Sequence, residues 1–242
     1  MLHKVGAYFF MVGPVGIEPT TPGLKGRRST TELRTRGLEY HTKYYAFCCI
    51  MSMDMNIIED SKKLALLEIE KFNMPFPIHF DIAECKAVEL IKSESVDQTI
   101  VMVGLYLMDL KLGQAFKDGR LKDHVKMSSD AAKEFLKKYD LGGDRVNKII
   151  NCIEAHHKEV PFICKEAEVC ANADCYRFIH PKGFFAYLNL LGVRNNDFYE
   201  SLNLAEAKLD EKYKILSLDI CKKELEEPYQ QLKKLINQAR EL

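Results

Sequence analysis

Ser95-Val-Asp-Gln-Thr-Ile-Val-Met-Val-Gly-Leu-Tyr-Leu-Met-Asp109-Leu-Lys-Leu-Gly113 is the stretch on which the reading of the whole chain turns. From Ile100 to Leu107 every residue is apolar or glycine, so a helix here has no face for water and must be buried on all sides. Ser95-Val-Asp97 starts it, and it is predicted to end near Gly113. It closes on a carboxylate, Asp109, and a carboxylate at the end of a buried helix needs a cation or several hydrogen bonds. Lys111 is a candidate cation, either as the partner of Asp109 or as a contact for a bound phosphate.

Outward from this stretch the pattern stays helical, and the fold class is all-α. Ile57, Ile58, Leu64, Leu67 and Ile69 sit on one face of a first helix reaching about Phe72. Asn73-Met-Pro-Phe-Pro77 breaks it, and a second helix runs from about His79 to Lys92. Beyond the central helix, one is expected from about His124 to Tyr139, stopped by Gly142-Gly143. Asp144 can cap the next, which runs to about His157. Lys165 to Phe178 forms another, with Phe184–Leu191 continuing as helix after Pro181-Lys-Gly183. A charged amphipathic tail covers 204–242, with Pro228 predicted to break or restart it. The core domain is thus expected over 53–203, with the tail packed on it.

Residues 1–52 read differently. Proline, glycine, threonine and arginine dominate without periodicity, which predicts a disordered extension. Gly13-Pro-Val-Gly-Ile-Glu-Pro-Thr-Thr-Pro-Gly-Leu-Lys-Gly-Arg-Arg-Ser-Thr-Thr-Glu-Leu-Arg-Thr35 resembles translation of the antisense strand of a tRNA gene, read into the gene downstream. That resemblance places the true start at Met51, Met53 or Met55; the other reading is a flexible basic arm.

Formal net charge is zero over 242 residues, which argues against a nucleic-acid polymer as partner and against a polybasic membrane anchor. Residues 1–50 hold seven Lys or Arg against three Asp or Glu, so the remainder is net negative. An acidic domain acting on phosphates needs local cations, and a bound metal is one source. No run reaches the ~18–20 uninterrupted apolar residues of a membrane span. Eight cysteines without a Cys-x-x-Cys pair point to a reducing cytoplasm.

Five polar residues fall at or near helix ends: His79, Asp109, His124, His156 and Asp174. Imidazole and carboxylate together are the usual ligands of first-row divalent ions. His157 competes with His156, because neighbours on a helix point ~100° apart and both are not expected to face one ion. Arg177 and Lys182 are candidate phosphate contacts.

These residues resemble the HD superfamily of metal-dependent phosphohydrolases. The likeness rests on Pro77-Ile-His-Phe-Asp81, Tyr106-Leu-Met-Asp-Leu-Lys111, Lys122-Asp-His-Val-Lys126, Ile153-Glu-Ala-His-His157 and Ala171-Asn-Ala-Asp174, in order and spacing over about 76–192. Where the family usually reads Leu-His-Asp-Ile-Gly-Lys, this chain has Met108 before Asp109. The resemblance implies an HD-like helical domain and a divalent ion (Mn, Fe, Co, Ni, Zn or Mg). It also implies a small phosphorylated substrate, a nucleotide or another phosphate ester. In dinuclear members the central Asp bridges two ions. Asp109, His124 and His156 then make a complete second site, whereas the first retains only His79, Asp109 and Asp174. A non-catalytic HD-like module that binds a nucleotide or a partner is the alternative, and a helical adaptor unrelated to the family is a third reading.

Overall fold

Asp97 opens the central helix. Its Oδ1 accepts from the amides of Thr99 (2.8 Å) and Ile100 (3.3 Å), two of the groups that a helix start leaves without partners. The computed structural model describes residues 54–195 and 197–241, and every described element is helical. In chain order these are α1 (residues 54–72), α2 (Pro77–Glu94), α3 (Gln98–Leu107), α4 (Leu112–Lys117), α5 (His124–Leu136), α6 (Gly142–Glu154), α7 (Lys165–Ile179), α8 (Pro181–Asn195), α9 (Phe198–Ile215) and α10 (Asp219–Arg240). The expected extension over 1–52 lies outside the described residues.

Helices α3 and α7 form the centre. α7 packs against α2, α3, α6, α8, α9 and α10, which is why nearly every residue from Ala167 to Ile179 is buried. The crossing of α3 and α6 is close: a Cβ at Gly104 would lie 2.4 Å from Cys152 Cβ, so only glycine fits there. The stretch Gln98–Lys117 has the length and apolar composition of a membrane span, but most of it is buried inside the fold. The six described cysteines are free thiols; Cys152 is buried, whereas Cys85 is exposed.

Several boundaries differ from the sequence reading, each for a local reason. α3 stops at Leu107, not near Gly113. Leu110 N–H bonds to Leu107 O (3.2 Å) and Leu112 N–H to Asp109 O (3.0 Å), tightening residues 108–111 into a turn. The Lys111 amide leaves the helical ladder to donate to Ser128 Oγ at 3.0 Å. Asp109 therefore projects from a turn. Gly142-Gly143 does not stop α5, which ends at Leu136; instead Gly142, at φ +71°, turns the chain into α6. Asp144 sits in the first turn of α6 paired with Lys148 (2.7 Å) and caps nothing.

The tail begins before 204, because α9 crosses that boundary and buries Ser201, Leu202, Ala205, Leu209 and Lys212 on one face. Pro228 breaks nothing. It lies inside α10, whose buried stripe of Cys221, Leu225, Leu232 and Ile236 continues on both sides of it, so packing carries the helix through the proline.

Candidate metal centre

The turn after α3 brings Asp109 to the floor of a cleft of about 180 Å³. His79 from α2, His124 from the start of α5, His156 and His157 from the end of α6, and Asp174 and Arg177 from α7 line the same cleft. Asp109 Oδ1 lies 3.7 Å from His124 Nε2 and 3.8 Å from His156 Nε2. Donors around one ion at bonds near 2.1 Å stand roughly 3.4 Å apart in a tetrahedron, so these separations are close to those of a shared ion.

The histidine cluster is larger than the sequence suggested. Ligand atoms of His124, His156 and His157 lie within 4.8 Å of one another, and this trio can hold a metal ion. A ~100° separation of His156 and His157 requires a helix through both residues. α6 ends at Glu154, and the chain then turns, with Lys158 at φ +60°. The ~100° helical spacing does not apply there, and the two imidazole centroids come within 4.1 Å.

Two of the three imidazoles are held the same way. Nδ1–H of His124 donates to Leu121 O (2.8 Å) and Nδ1–H of His156 to Ile153 O (2.7 Å), so Nε2 of each keeps its lone pair for a ligand, an arrangement typical of metal-binding histidines. His157 Nδ1 stands between an acceptor, Glu211 Oε1 at 3.0 Å, and a donor, Lys212 Nζ at 3.2 Å. His79 is oriented the opposite way, its Nε2 donating to Gly183 O at 2.9 Å. That contact depends on α8 starting hard against the end of α7, where a Cβ at Gly183 would lie 2.3 Å from Arg177 O.

Burial, followed by the neighbouring His157, lowers the His156 pKa to about 3, so this imidazole is neutral at ordinary pH. Burial and then the Arg177 guanidinium lower His79 to about 4. Burial alone would raise Asp109, but Arg177 and then His156 and His124 hold it well below the usual carboxylate range. Asp174 is held low in the same way, against burial, by Lys212 and Arg177.

Imidazole nitrogens and an ionised carboxylate suit zinc and the late first-row divalent ions. Adding the divalent charge here meets a site that is otherwise balanced, with Asp109 and Asp174 offset by Arg177 and Lys212.

No protein-family model, no curated protein and no solved structure matches this chain. The site's meaning therefore rests on its own geometry.

Arg177 is not a free phosphate contact: it is buried, with Nη1 at 2.5 Å from Asp109 Oδ2 and 2.7 Å from Asp174 Oδ1. Lys111 points away from the cleft, because Glu68 on α1 draws its Nζ to 3.1 Å. Lys182 lies exposed at the start of α8, in a separate surface hollow beside Asp81 and Glu224. Met108 is buried in the core and faces a second, small cavity with Ala65, Glu68 and Leu105.

Sequence reasoning missed Lys212, whose Nζ lies 2.6 Å from Asp174 Oδ2. Its signal was available: Ala205, Leu209 and Lys212 follow helical spacing, so a lysine interrupts an apolar stripe. It also missed the cleft wall of Phe178, Tyr187 and Arg194. Arg194 stacks on Phe116 with its guanidinium 4.3 Å from the ring centre. Phe178 and Tyr187 meet edge to face at 5.2 Å.

Proposed function

We propose that this chain is a metal-dependent phosphohydrolase of HD type acting on a small phosphate ester, a nucleotide among the candidates. The observation that carries the proposal is the convergence of Asp109 Oδ1 with the Nε2 atoms of His124 and His156, and with His157 beside them. These four residues would hold the ion. When bound, a divalent ion supplies Lewis acidity for attack on phosphorus and offsets charge on the phosphate oxygens.

The chain's own residues do the rest. Nδ1 contacts to Leu121, Ile153 and Glu211 fix the imidazoles before any ion arrives, so little is lost in orienting them. Arg194 lines the same cleft and supplies positive charge for an anionic group, whereas Lys208 beside it is paired with Glu211 at 2.7 Å. Phe178, Tyr187 and Leu190 offer an apolar wall for the body of the ester. Free thiols in all six described cysteines are consistent with a reducing cytoplasm.

A second reading, a non-catalytic module that binds an anionic ligand, is favoured by one observation. Asp109 and Asp174 are already neutralised by Arg177 and Lys212, as they would be in a site that keeps its shape without metal.

The test is a screen of phosphate esters with the purified chain and Mn²⁺, Co²⁺, Ni²⁺, Zn²⁺ or Mg²⁺. Hydrolysis that is lost on chelation and on His156→Ala is expected. Tight ligand binding without turnover for any ester or metal would favour the second reading.

A further inference from the structure

We propose that Arg177 is a built-in second cation, so that the site takes one divalent ion and no more. This rests on the metal-dependent reading above and adds the stoichiometry and a role for Arg177.

The four carboxylate oxygens of Asp109 and Asp174 are unequally engaged. Asp109 Oδ2 and Asp174 Oδ1 both face Arg177 Nη1, at 2.5 and 2.7 Å. Asp174 Oδ2 faces Lys212 Nζ at 2.6 Å. Asp109 Oδ1 alone points to the imidazoles. An ion bridging the two carboxylates would have to sit where the guanidinium sits.

Arg177 is poorly able to yield that place. Arginine does not lose its proton in proteins, so like-charge repulsion with an incoming ion cannot be relieved by neutralisation. The side chain is 5% exposed and lies against Phe178, with 5.4 Å between guanidinium carbon and ring centre. Swinging it out would strip both carboxylates of their shared partner in a buried setting. What the guanidinium holds is a donor set that a second ion would otherwise use: Asp109 Oδ2, Asp174 Oδ1 and His79, which spends Nε2 on the Gly183 carbonyl and keeps Nδ1.

The consequence is a division of labour across Asp109. The exchangeable ion binds on the histidine side, and a permanent positive charge occupies the Asp174 side. Arg177 is thus a positioning residue that fixes the Asp109 carboxylate with one oxygen presented to the ion.

The experiment counts Mn²⁺ bound to the full chain by equilibrium dialysis and records its electron paramagnetic resonance spectrum. One ion per chain with an uncoupled six-line signal is expected. Arg177→Gln, which removes the charge but retains hydrogen-bond donors, is expected to rise to two ions with spin coupling between them, and Arg177→Lys to stay at one. Two ions or a coupled spectrum in the unaltered chain would overturn this inference while leaving the metal-dependent reading intact. One ion in a folded Arg177→Gln protein would also overturn it. No bound ion in the unaltered chain would overturn the metal-dependent reading itself, and this inference with it. If Arg177→Gln does not fold, the count and spectrum of the unaltered chain still decide.

Discussion

The two oxygens of Asp109 face opposite chemistries. On the Oδ1 side stand the imidazoles of His124 and His156, with Nε2 atoms 3.7 and 3.8 Å away and Nδ1 committed to backbone carbonyls. On the Oδ2 side stands a closed ionic cluster of Arg177, Asp174 and Lys212, with contacts of 2.5 to 2.7 Å. The first side presents donors that could hold a metal ion. The second already holds the chain's own cations, Arg177 and Lys212. One carboxylate therefore links an open half to a closed half, and perturbations of the two halves are expected to read out differently.

Removing the link has the largest effect. Asp109→Ala should abolish metal binding and also leave Arg177 with a single partner in the core. Breaking a buried pair by removing one member costs about 3–5 kcal/mol. Denaturant melts and metal dialysis check the two losses separately. A stable variant that still binds metal would break the comparison.

Acidification distinguishes the halves next. In the metal-free chain His156 and His79 are held neutral, with values lowered to about 3 and about 4. The unfolded chain takes up those protons near 6.5. Between the folded and unfolded values the unfolded state binds more protons, so stability falls as pH drops below about 6.5. Each group contributes up to about 1.4 kcal/mol per pH unit. Asp109, held low by Arg177, is fully stabilising above its unfolded value near 4 and loses that contribution only as pH falls below it. Thermal melts of chelated protein from pH 7.5 to pH 4.5 should show a steady decline below 6.5. A flat profile would contradict the buried, neutral histidines.

The smallest effect sharpens the closed half. Met108→His places an imidazole in a core position, lining the small cavity that Asp109 and Arg177 also line. A buried polar group without a full partner costs about 1–3 kcal/mol, and no gain in metal affinity is expected. Increased affinity would show that the Asp174 side is open after all.

These contrasts also show what the sequence could and could not convey. The all-helical class, the buried α3 and its Asp97 start were legible, because an apolar run with a polar cap has few other uses. The approach of His79, Asp109, His124, His156 and Asp174 to one cleft was legible in outline. The turn at 108–111 was not, since it depends on Ser128 Oγ taking the Lys111 amide from a helix 17 residues away. That His156 and His157 act together was not legible either, because setting one against the other relies on a helix that ends at Glu154, three residues too early. Arg177 carried an ambiguous signal: Asp174 and Arg177 stand at i and i+3, which fits an exposed surface pair as well as a buried clamp. Only the packing of α7 on all sides decides between them.

The central claim is that a divalent ion binds on the histidine side of Asp109. X-ray absorption of the Zn²⁺- or Mn²⁺-loaded chain tests it most directly, because imidazole rings scatter with a distinct outer-shell pattern. The expected first shell contains the nitrogens of His124, His156 and His157 and one carboxylate oxygen, and it loses one imidazole in His156→Ala. An oxygen-only shell, or one unchanged by His156→Ala, would contradict the account.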